Sequence, residues 1–204
     1  MLEGITAGFI LSISLFPGVV WLAKVGMCGG PRQVCVVGAA FALSQFLWLL
    51  VAIPGLMLMM LQLHFIRSGM HLFAAFVLFY MAIKFFRSRR AARLDLAGDL
   101  PGLMTLFRAT FNQSLAMPMR LPLAMAVLMA TGFFVNHEPS WQMLPSLITG
   151  ALIGVFWWWG QLTFLAVFFV KRVPLAITLR SLNKIRPFCA VLYICLTAIV
   201  LFFA

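Results

Sequence analysis

Six long apolar stretches follow one another along the chain with little sequence between them. A helix that crosses the hydrocarbon core of a bilayer needs about 17 to 25 mostly apolar residues, so each stretch is long enough for one crossing. Hydrophobic residues make up 64% of the chain and the mean hydropathy is +1.09, which is far above a soluble domain. We therefore predict an all-α membrane protein with six transmembrane helices. The stretches are residues 5–25, 34–62, 69–86, 103–135, 143–170 and 187–204.

Basic residues are distributed unevenly among the connections that join the stretches. The chain has 15 Lys and Arg against 4 Asp and Glu, and thirteen of these basic residues lie in or beside the first, third and fifth connections. In a soluble protein this excess would suggest nucleic acid, but membrane proteins concentrate Lys and Arg in cytoplasmic loops. We predict a multi-pass protein with both termini outside, with membrane lipids around it and no nucleic acid partner. Glu3 is the only charged side chain before the first stretch, so we expect no cleaved signal peptide.

The basic connection at residues 88–102 is the only long polar one, and it separates two groups of three stretches. Three crossings bring the chain to the opposite side of the membrane, so two such halves must be inverted relative to each other. We predict a 3+3 inverted repeat made of residues 1–87 and 103–204, joined by a cytoplasmic connection. The residues that match between the halves are Pro17 with Pro118, Gly38 with Gly154, and Gln45 with Gln161.

Prolines interrupt the first and fourth stretches at corresponding places in the two halves. Pro17 precedes Gly18 in the first, and Pro118 and Pro122 lie in the fourth. Proline removes a helical hydrogen bond, and non-helical backbone persists inside a membrane only where protein or a watery cavity covers it. We predict proline-broken first and fourth helices. Paired breaks of this kind indicate the binding site of a transporter, and the alternative is two packing kinks without a ligand.

Arg120 lies near the middle of the fourth stretch, where a cation costs roughly 2.5 to 3.5 kcal/mol. The four acidic residues all lie near the start of the chain or in connections, so no carboxylate within a stretch can neutralise it. An external anion would do so, from a substrate, a lipid or a partner subunit; alternatively, the side chain reaches an interface. We predict a substrate-binding site formed by Arg120 and by residues at or near the breaks. Its other members are Ser14, Pro17, Gly18, Gln45, Asn112, Gln113, Pro118 and Gln161.

Other functional classes lack the residues that they need. Proton relays and hard-cation sites use Asp, Glu or His inside the membrane, and the three histidines lie in or beside connections. No nucleophile with its base can be assembled within the stretches, and no phosphate-binding loop is present. The four cysteines have no CxxC spacing, so we expect small buried side chains. We predict that the protein is not an enzyme and that it has no metal site and no cofactor.

Several of these segments together resemble the lysine exporter superfamily, which includes the homoserine and threonine exporters. The resemblance rests on GFILSISLFPG at residues 8–18, the basic central connection, the second proline motif, and SLNKIRPFCAVLYICLTAIVLF at residues 181–202. It implies a six-span inverted repeat in the bacterial inner membrane that exports amino acids or similar small solutes. The family motifs PGPN and NPK are altered here, to Pro17-Gly18-Val19-Val20 and Met117-Pro118-Met119-Arg120. An Asp in the second span of many members is also missing, and this chain offers Ser44 and Gln45 there.

These patterns lead to two functional hypotheses. The first is an inner-membrane transporter that exports an amino acid or a similar small zwitterionic or anionic metabolite, with Arg120 binding the substrate carboxylate. The altered motifs motivate the second, a non-transporting membrane subunit or scaffold that keeps the exporter fold and binds a partner protein or a lipid. A homodimer or a complex with a partner membrane protein is compatible with either hypothesis.

Overall fold

The protein is described by a computed structural model in which the described segments are mainly helical. The described segments are residues 1–62, 66–88, 100–117, 119–131, 141–172 and 175–202. They contain eight α-helices: α1 (Leu2–Ile13), α2 (Phe16–Cys28), α3 (Pro31–Gln62), α4 (Ile66–Arg87), α5 (Leu103–Leu115), α6 (Arg120–Ala130), α7 (Leu144–Phe168) and α8 (Leu175–Phe202). A single 3₁₀ turn, Trp141–Met143, leads into α7. The predicted all-α class is confirmed for these segments.

Four helices are long and apolar enough to cross a membrane, namely α3, α4, α7 with its preceding turn, and α8. Two further pairs of shorter helices meet the same test when each pair is taken together. The α1–α2 pair bends by 68° and the α5–α6 pair by 67°, each at a break of at most four residues. The described chain therefore contains four membrane-length helices, or up to six if each bent pair forms one span. This is consistent with a membrane protein.

Helices α1 and α7 approach each other closely because glycines line both sides of their interface. A Cβ atom placed on Gly8 would lie 2.4 Å from the carbonyl oxygen of Ala151, and one on Gly154 would lie 2.2 Å from that of Ile5. A Cβ atom on Gly4 or Gly150, one helical turn away, would lie equally close to the backbone of the facing helix. Small residues four apart let two backbones come into direct contact, which is how helices associate where lipid provides no hydrophobic driving force. The first half of α1 is thereby fixed against α7.

Helix α3 packs against α5, α6 and α7. Helix α4 packs along α8, and the rings of Phe85 and Tyr193 stack between them with centroids 5.7 Å apart. Trp159 of α7 is buried and stacks on Phe41 of α3 at 4.8 Å. These contacts hold the end of α1 and the start of α6 inside the protein, beside α4 and α8.

Candidate functional site

The Arg120 side chain is 5% exposed and lies where the two bent helix pairs meet. Arg120 is the first residue of α6, and Ser14 is the residue that ends α1. The Nη1 atom of Arg120 donates a hydrogen bond to Ser14 Oγ at 3.0 Å, and Nη2 lies 3.5 Å from the sulfur of Met117. One guanidinium therefore joins the break of the first pair to the break of the second.

The backbone carbonyls at the end of α1 all have partners, although the helix stops inside the protein. The carbonyl of Ile10 accepts the Ser14 N–H, that of Leu11 accepts the Ser14 hydroxyl, and that of Ser12 accepts the Leu15 N–H. The last, that of Ile13, is 3.8 Å from the Cys189 thiol of α8. A helix end normally leaves such groups unpaired. The last four carbonyls of α1 are therefore all engaged at this break.

A cavity of about 240 Å³ opens beside Arg120. Two of its polar lining residues, Ser14 and Arg120, are buried, whereas Lys84 and Ser88 are exposed at the end of α4. The cavity therefore runs inward from Lys84 to Arg120. Its apolar lining consists of Pro17, Met81, Phe85, Met117, Met119 and Leu123.

Positive charge dominates the surroundings of this cavity. Arg186 of α8 is 5% exposed, and its Nε donates a hydrogen bond to Ser88 Oγ at 2.8 Å, directly behind the cavity wall. Glu3, in the first turn of α1, is the only acidic residue in the described segments. No carboxylate of those segments forms an ion pair with Arg120. A buried charge without a counterion is costly, so this arrangement favours binding of an anion.

The hydroxyl group of Tyr193 lies beside the Arg120–Ser14 pair. Tyr193 is fully buried on α8, and its hydroxyl is near the Ser14 hydroxyl and the Arg120 guanidinium. Its hydrogen bond with Ser14 is poorly aligned, and it has no other partner among the described residues. A phenolic O–H that is buried normally has a well-formed hydrogen bond, so this hydroxyl is weakly satisfied.

A second, smaller cavity of about 170 Å³ lies against the first and shares Pro17 and Met117 with it. Lys24 of α2 also lines this second cavity, and its ammonium lies 5.6 Å from the centroid of the Trp21 ring. The indole N–H of Trp21 donates to Thr110 Oγ1 of α5 at 3.3 Å. Both cavities thus combine a lysine with apolar walls at the helix breaks.

The structure brings together some of the residues predicted for the site. Ser14 and Arg120 bond to each other, and Pro17 lines both cavities, although it is exposed in the first turn of α2. Gly18 and Gln113 line the smaller cavity. Lys84, Tyr193 and Arg186 were not predicted. Lys84 and Arg186 were counted only as topology signals, and nothing in the sequence marks Tyr193.

Other predicted members lie elsewhere. Asn112 is exposed on α5 and lines neither cavity, and Gln161 is exposed on α7 in a shallow groove with Trp157. Gln45 is completely buried in α3, and its amide has no hydrogen-bond partner within the described segments. Its neighbour Ser44 bonds to Ser114 of α5 at 2.7 Å. Pro118 lies outside the described residues.

No group of three potential metal ligands occurs in the described part of the chain.

The four cysteines differ in burial. Cys189 is buried as expected, but Cys28, Cys35 and Cys195 are exposed, so the prediction of small buried side chains is wrong for these three. Comparisons with protein family models, curated proteins and solved structures found no match to this chain.

Proposed function

We propose that the protein is a small-solute transporter that binds an anionic group of its substrate at Arg120. The observation that carries this proposal is the hydrogen bond from Arg120 to Ser14, at the inner end of the 240 Å³ cavity and between two helix breaks. Transporter sites form at broken helices because those breaks bring polar groups to the middle of the membrane. A substrate carboxylate or other anion would neutralise Arg120, which has no carboxylate partner in the described chain.

The proposal includes the 3+3 inverted repeat. Each half consists of a bent helix pair followed by two long helices, and the two bends differ by only 1°. Packing is also reciprocal: α1 packs on α7, and its counterpart α5 packs on α3. Two further contacts, α3 with α7 and α4 with α8, join equivalent helices of the two halves. Prolines at residues 17 and 118 then account for the breaks, since neither residue can continue a helix from the preceding turn.

The proposed location is the bacterial inner membrane, with both termini outside. Apart from Arg67 at the start of α4, the Lys and Arg residues of the long helices lie at the start of α3, at the ends of α4 and α7, and in the first half of α8. In six alternating spans these ends all lie on one side, which the positive-inside rule assigns to the cytoplasm. The mouth of the cavity, at Lys84 and Ser88, would then face the cytoplasm, where an exporter must load its substrate.

In this mechanism the solute enters from the cytoplasm, and its anionic group replaces water around the Arg120 guanidinium. The Ser14 hydroxyl fixes that guanidinium in place. Rocking of one half against the other would move the opening from one side of Arg120 to the other. Membership in the lysine exporter superfamily belongs to the same proposal, and its support is the sequence resemblance at residues 8–18 and 181–202.

The test is solute exchange in proteoliposomes that contain the purified full chain. Vesicles are loaded with a mixture of amino acids and small organic acids, and release is followed by mass spectrometry. We expect selective release with the wild type and at least tenfold slower release with Arg120→Gln, because loss of a charge-assisted hydrogen bond weakens binding by about that factor or more. The matched control is Arg108→Gln, since Arg108 is exposed on α5, the other helix of the same bent pair.

Arg108→Gln should release solute at the wild-type rate. Correct folding and insertion of each variant are checked by size-exclusion chromatography and by protease protection. Equal release from wild-type, Arg120→Gln and protein-free vesicles would refute transport.

A specific observation also supports the second hypothesis, a partner-binding membrane subunit. Gln161 is exposed in the middle of the apolar outer face of α7, and Gly160 beside it has open space where a side chain would be. An amide that faces lipid favours association with another helix, which can supply its hydrogen bonds. We expect cross-linking of the wild type in membranes to capture a dimer or a complex with a partner protein. The Gln161→Leu substitution should abolish this cross-linked product. A monomeric, uncross-linked wild type would remove this hypothesis.

A further inference from the structure

The charges around the larger cavity restrict the chemical class of the solute. We propose that this solute is a small organic dianion, with one anionic group bound at Arg120 and the second at Lys84. The inference rests on the proposed transport function and narrows it, because an amino acid zwitterion is then a poor substrate.

The first argument is the balance of charge. Arg120 at the inner end and Lys84 at the mouth both line the cavity, and Arg186 lies behind Ser88 in its wall. The described segments place no carboxylate in this cavity. The ammonium group of a zwitterion would therefore be near two or three cations without an acidic partner, and like charges at short range repel strongly in a medium of low dielectric constant. A dianion would instead neutralise both lining cations.

The second argument is hydrogen-bonding capacity. Arg120 is held by Ser14, so the remaining N–H groups of its guanidinium have a fixed direction. The nearby Tyr193 hydroxyl is buried and has only a poorly aligned hydrogen bond with Ser14 in the described chain. Together they provide several donors to one carboxylate or phosphate group. The last carbonyls of α1 each already accept a hydrogen bond, so they attract an ammonium group less strongly than free carbonyls would.

The third argument is the shape and lining of the cavity between its two charged ends. The cavity wall between Arg120 and Lys84 is apolar and includes Met81, Phe85, Met119 and Leu123. A short carbon chain with an anionic group at each end matches this pattern of charged, apolar and charged lining. The volume of about 240 Å³ is smaller than the sites of drug-sized ligands, so the cavity fits a small organic solute.

The test measures exchange by proteoliposomes of four radiolabelled compounds. Succinate and 3-phosphonopropionate carry an anionic group at each end, butyrate is a monoanion and threonine is a zwitterion. We expect exchange of at least one of the two dianionic compounds, with little exchange of butyrate or threonine. Whichever of the two exchanges faster shows whether the second group is better as a carboxylate or as a phosphonate. Arg120→Gln should abolish the exchange. Lys84→Gln should raise the KM for the dianion by about 3- to 10-fold, the range expected for one exposed charge contact.

The matched control is Arg87→Gln, because Arg87 is exposed on α4 three residues from Lys84 and does not line the cavity. It should leave KM unchanged, which separates a contact with substrate from a general effect of charge on the membrane surface. Lys84 is itself exposed, so its variant tests the inference even if Arg120→Gln fails to fold.

Failure of this inference can be distinguished from failure of the proposed function. Arg120-dependent exchange of threonine or butyrate as good as that of the dianions would overturn the dianion assignment and leave transport intact. An unchanged KM in Lys84→Gln would also overturn the assignment. Absence of Arg120-dependent exchange for every compound in this panel and in the mixed pool would overturn both.

Discussion

Arg120 Nη1 and Ser14 Oγ are separated by 3.0 Å, and this hydrogen bond connects two helix breaks that are 106 residues apart in the chain. The Ser14 hydroxyl also donates to the Leu11 carbonyl, so one oxygen both ends α1 and orients the guanidinium. A charge at this depth is tolerated only with such partners. The bond therefore couples the ends of α1 and α6, the two elements that would have to move during transport.

Substitution Ser14→Ala tests this coupling directly. It removes the acceptor of Arg120 and leaves the Leu11 carbonyl without its partner, so we expect the free energy of unfolding in detergent to fall by about 1 to 2 kcal/mol. Chemical denaturation followed by circular dichroism measures the change. Ser12→Ala is the matched control, because the Ser12 hydroxyl is equally buried but bonds only to the Gly8 carbonyl of its own helix. Equal losses in the two variants would contradict a special role for the Ser14 bond.

Glycines at the α1–α7 interface should tolerate no side chain. Gly154→Ala would place a Cβ 2.2 Å from the Ile5 carbonyl oxygen, so α1 and α7 must separate and we expect a loss of about 1 to 3 kcal/mol. Gly160→Ala is on the same helix but has nothing within 4 Å, and it should be neutral or stabilising by up to about 1 kcal/mol through helix propensity. Thermal unfolding of the detergent-solubilised variants ranks the two substitutions by their effect on stability. A stable Gly154→Ala protein would mean that the two helices are not in this contact.

The amide of Gln45 is buried without a partner in the described chain, so its removal should relieve a desolvation penalty. We expect Gln45→Met to stabilise the protein by about 1 kcal/mol, since the apolar side chain has no polar group to desolvate. Gln33→Met should instead destabilise the protein, because Gln33 Oε1 accepts a hydrogen bond from the Gly30 N–H at 3.0 Å before α3. Chemical denaturation of the two variants in detergent measures both changes. A destabilised Gln45→Met protein would show that the amide has a partner after all.

Sequence patterns predicted the helical class and the positions of the membrane-length helices because apolar content and length decide both. The sequence also showed that no acidic residue within an apolar stretch neutralises Arg120. It did not identify Ser14 as the hydrogen-bond partner of Arg120, because several serines lie near the breaks and only the folded structure selects one of them. Tyr193 and Lys84 reached the site through the packing of α4 on α8, which no local pattern contains.

Matches between the two halves were less informative about side-chain environment. Gln45 is buried and Gln161 is exposed, while Gly38 faces Thr163 and Gly154 faces the backbone of α1. The equal spacing of these residues says where they lie along each helix but not which neighbour covers that face. The pairs Gly4 with Gly8 and Gly150 with Gly154 did carry a readable signal, since glycines four apart in apolar helices indicate close helix contact.

Neighbouring tryptophans on α7 should differ strongly in their contribution to stability. Trp159 is 1% exposed and stacks on Phe41, and its ring lies 3.0 Å from where a Cβ on Gly18 would be, so it supports the first turn of α2. We expect Trp159→Ala to cost about 3 to 5 kcal/mol, and Trp159→Phe to cost less because part of the stack remains. Trp157 is 62% exposed, so Trp157→Ala should cost less than about 1 kcal/mol in detergent. Denaturant titrations of the three variants test this order, and a Trp157→Ala loss as large as that of Trp159→Ala would show that the Trp157 face of α7 is covered by another subunit.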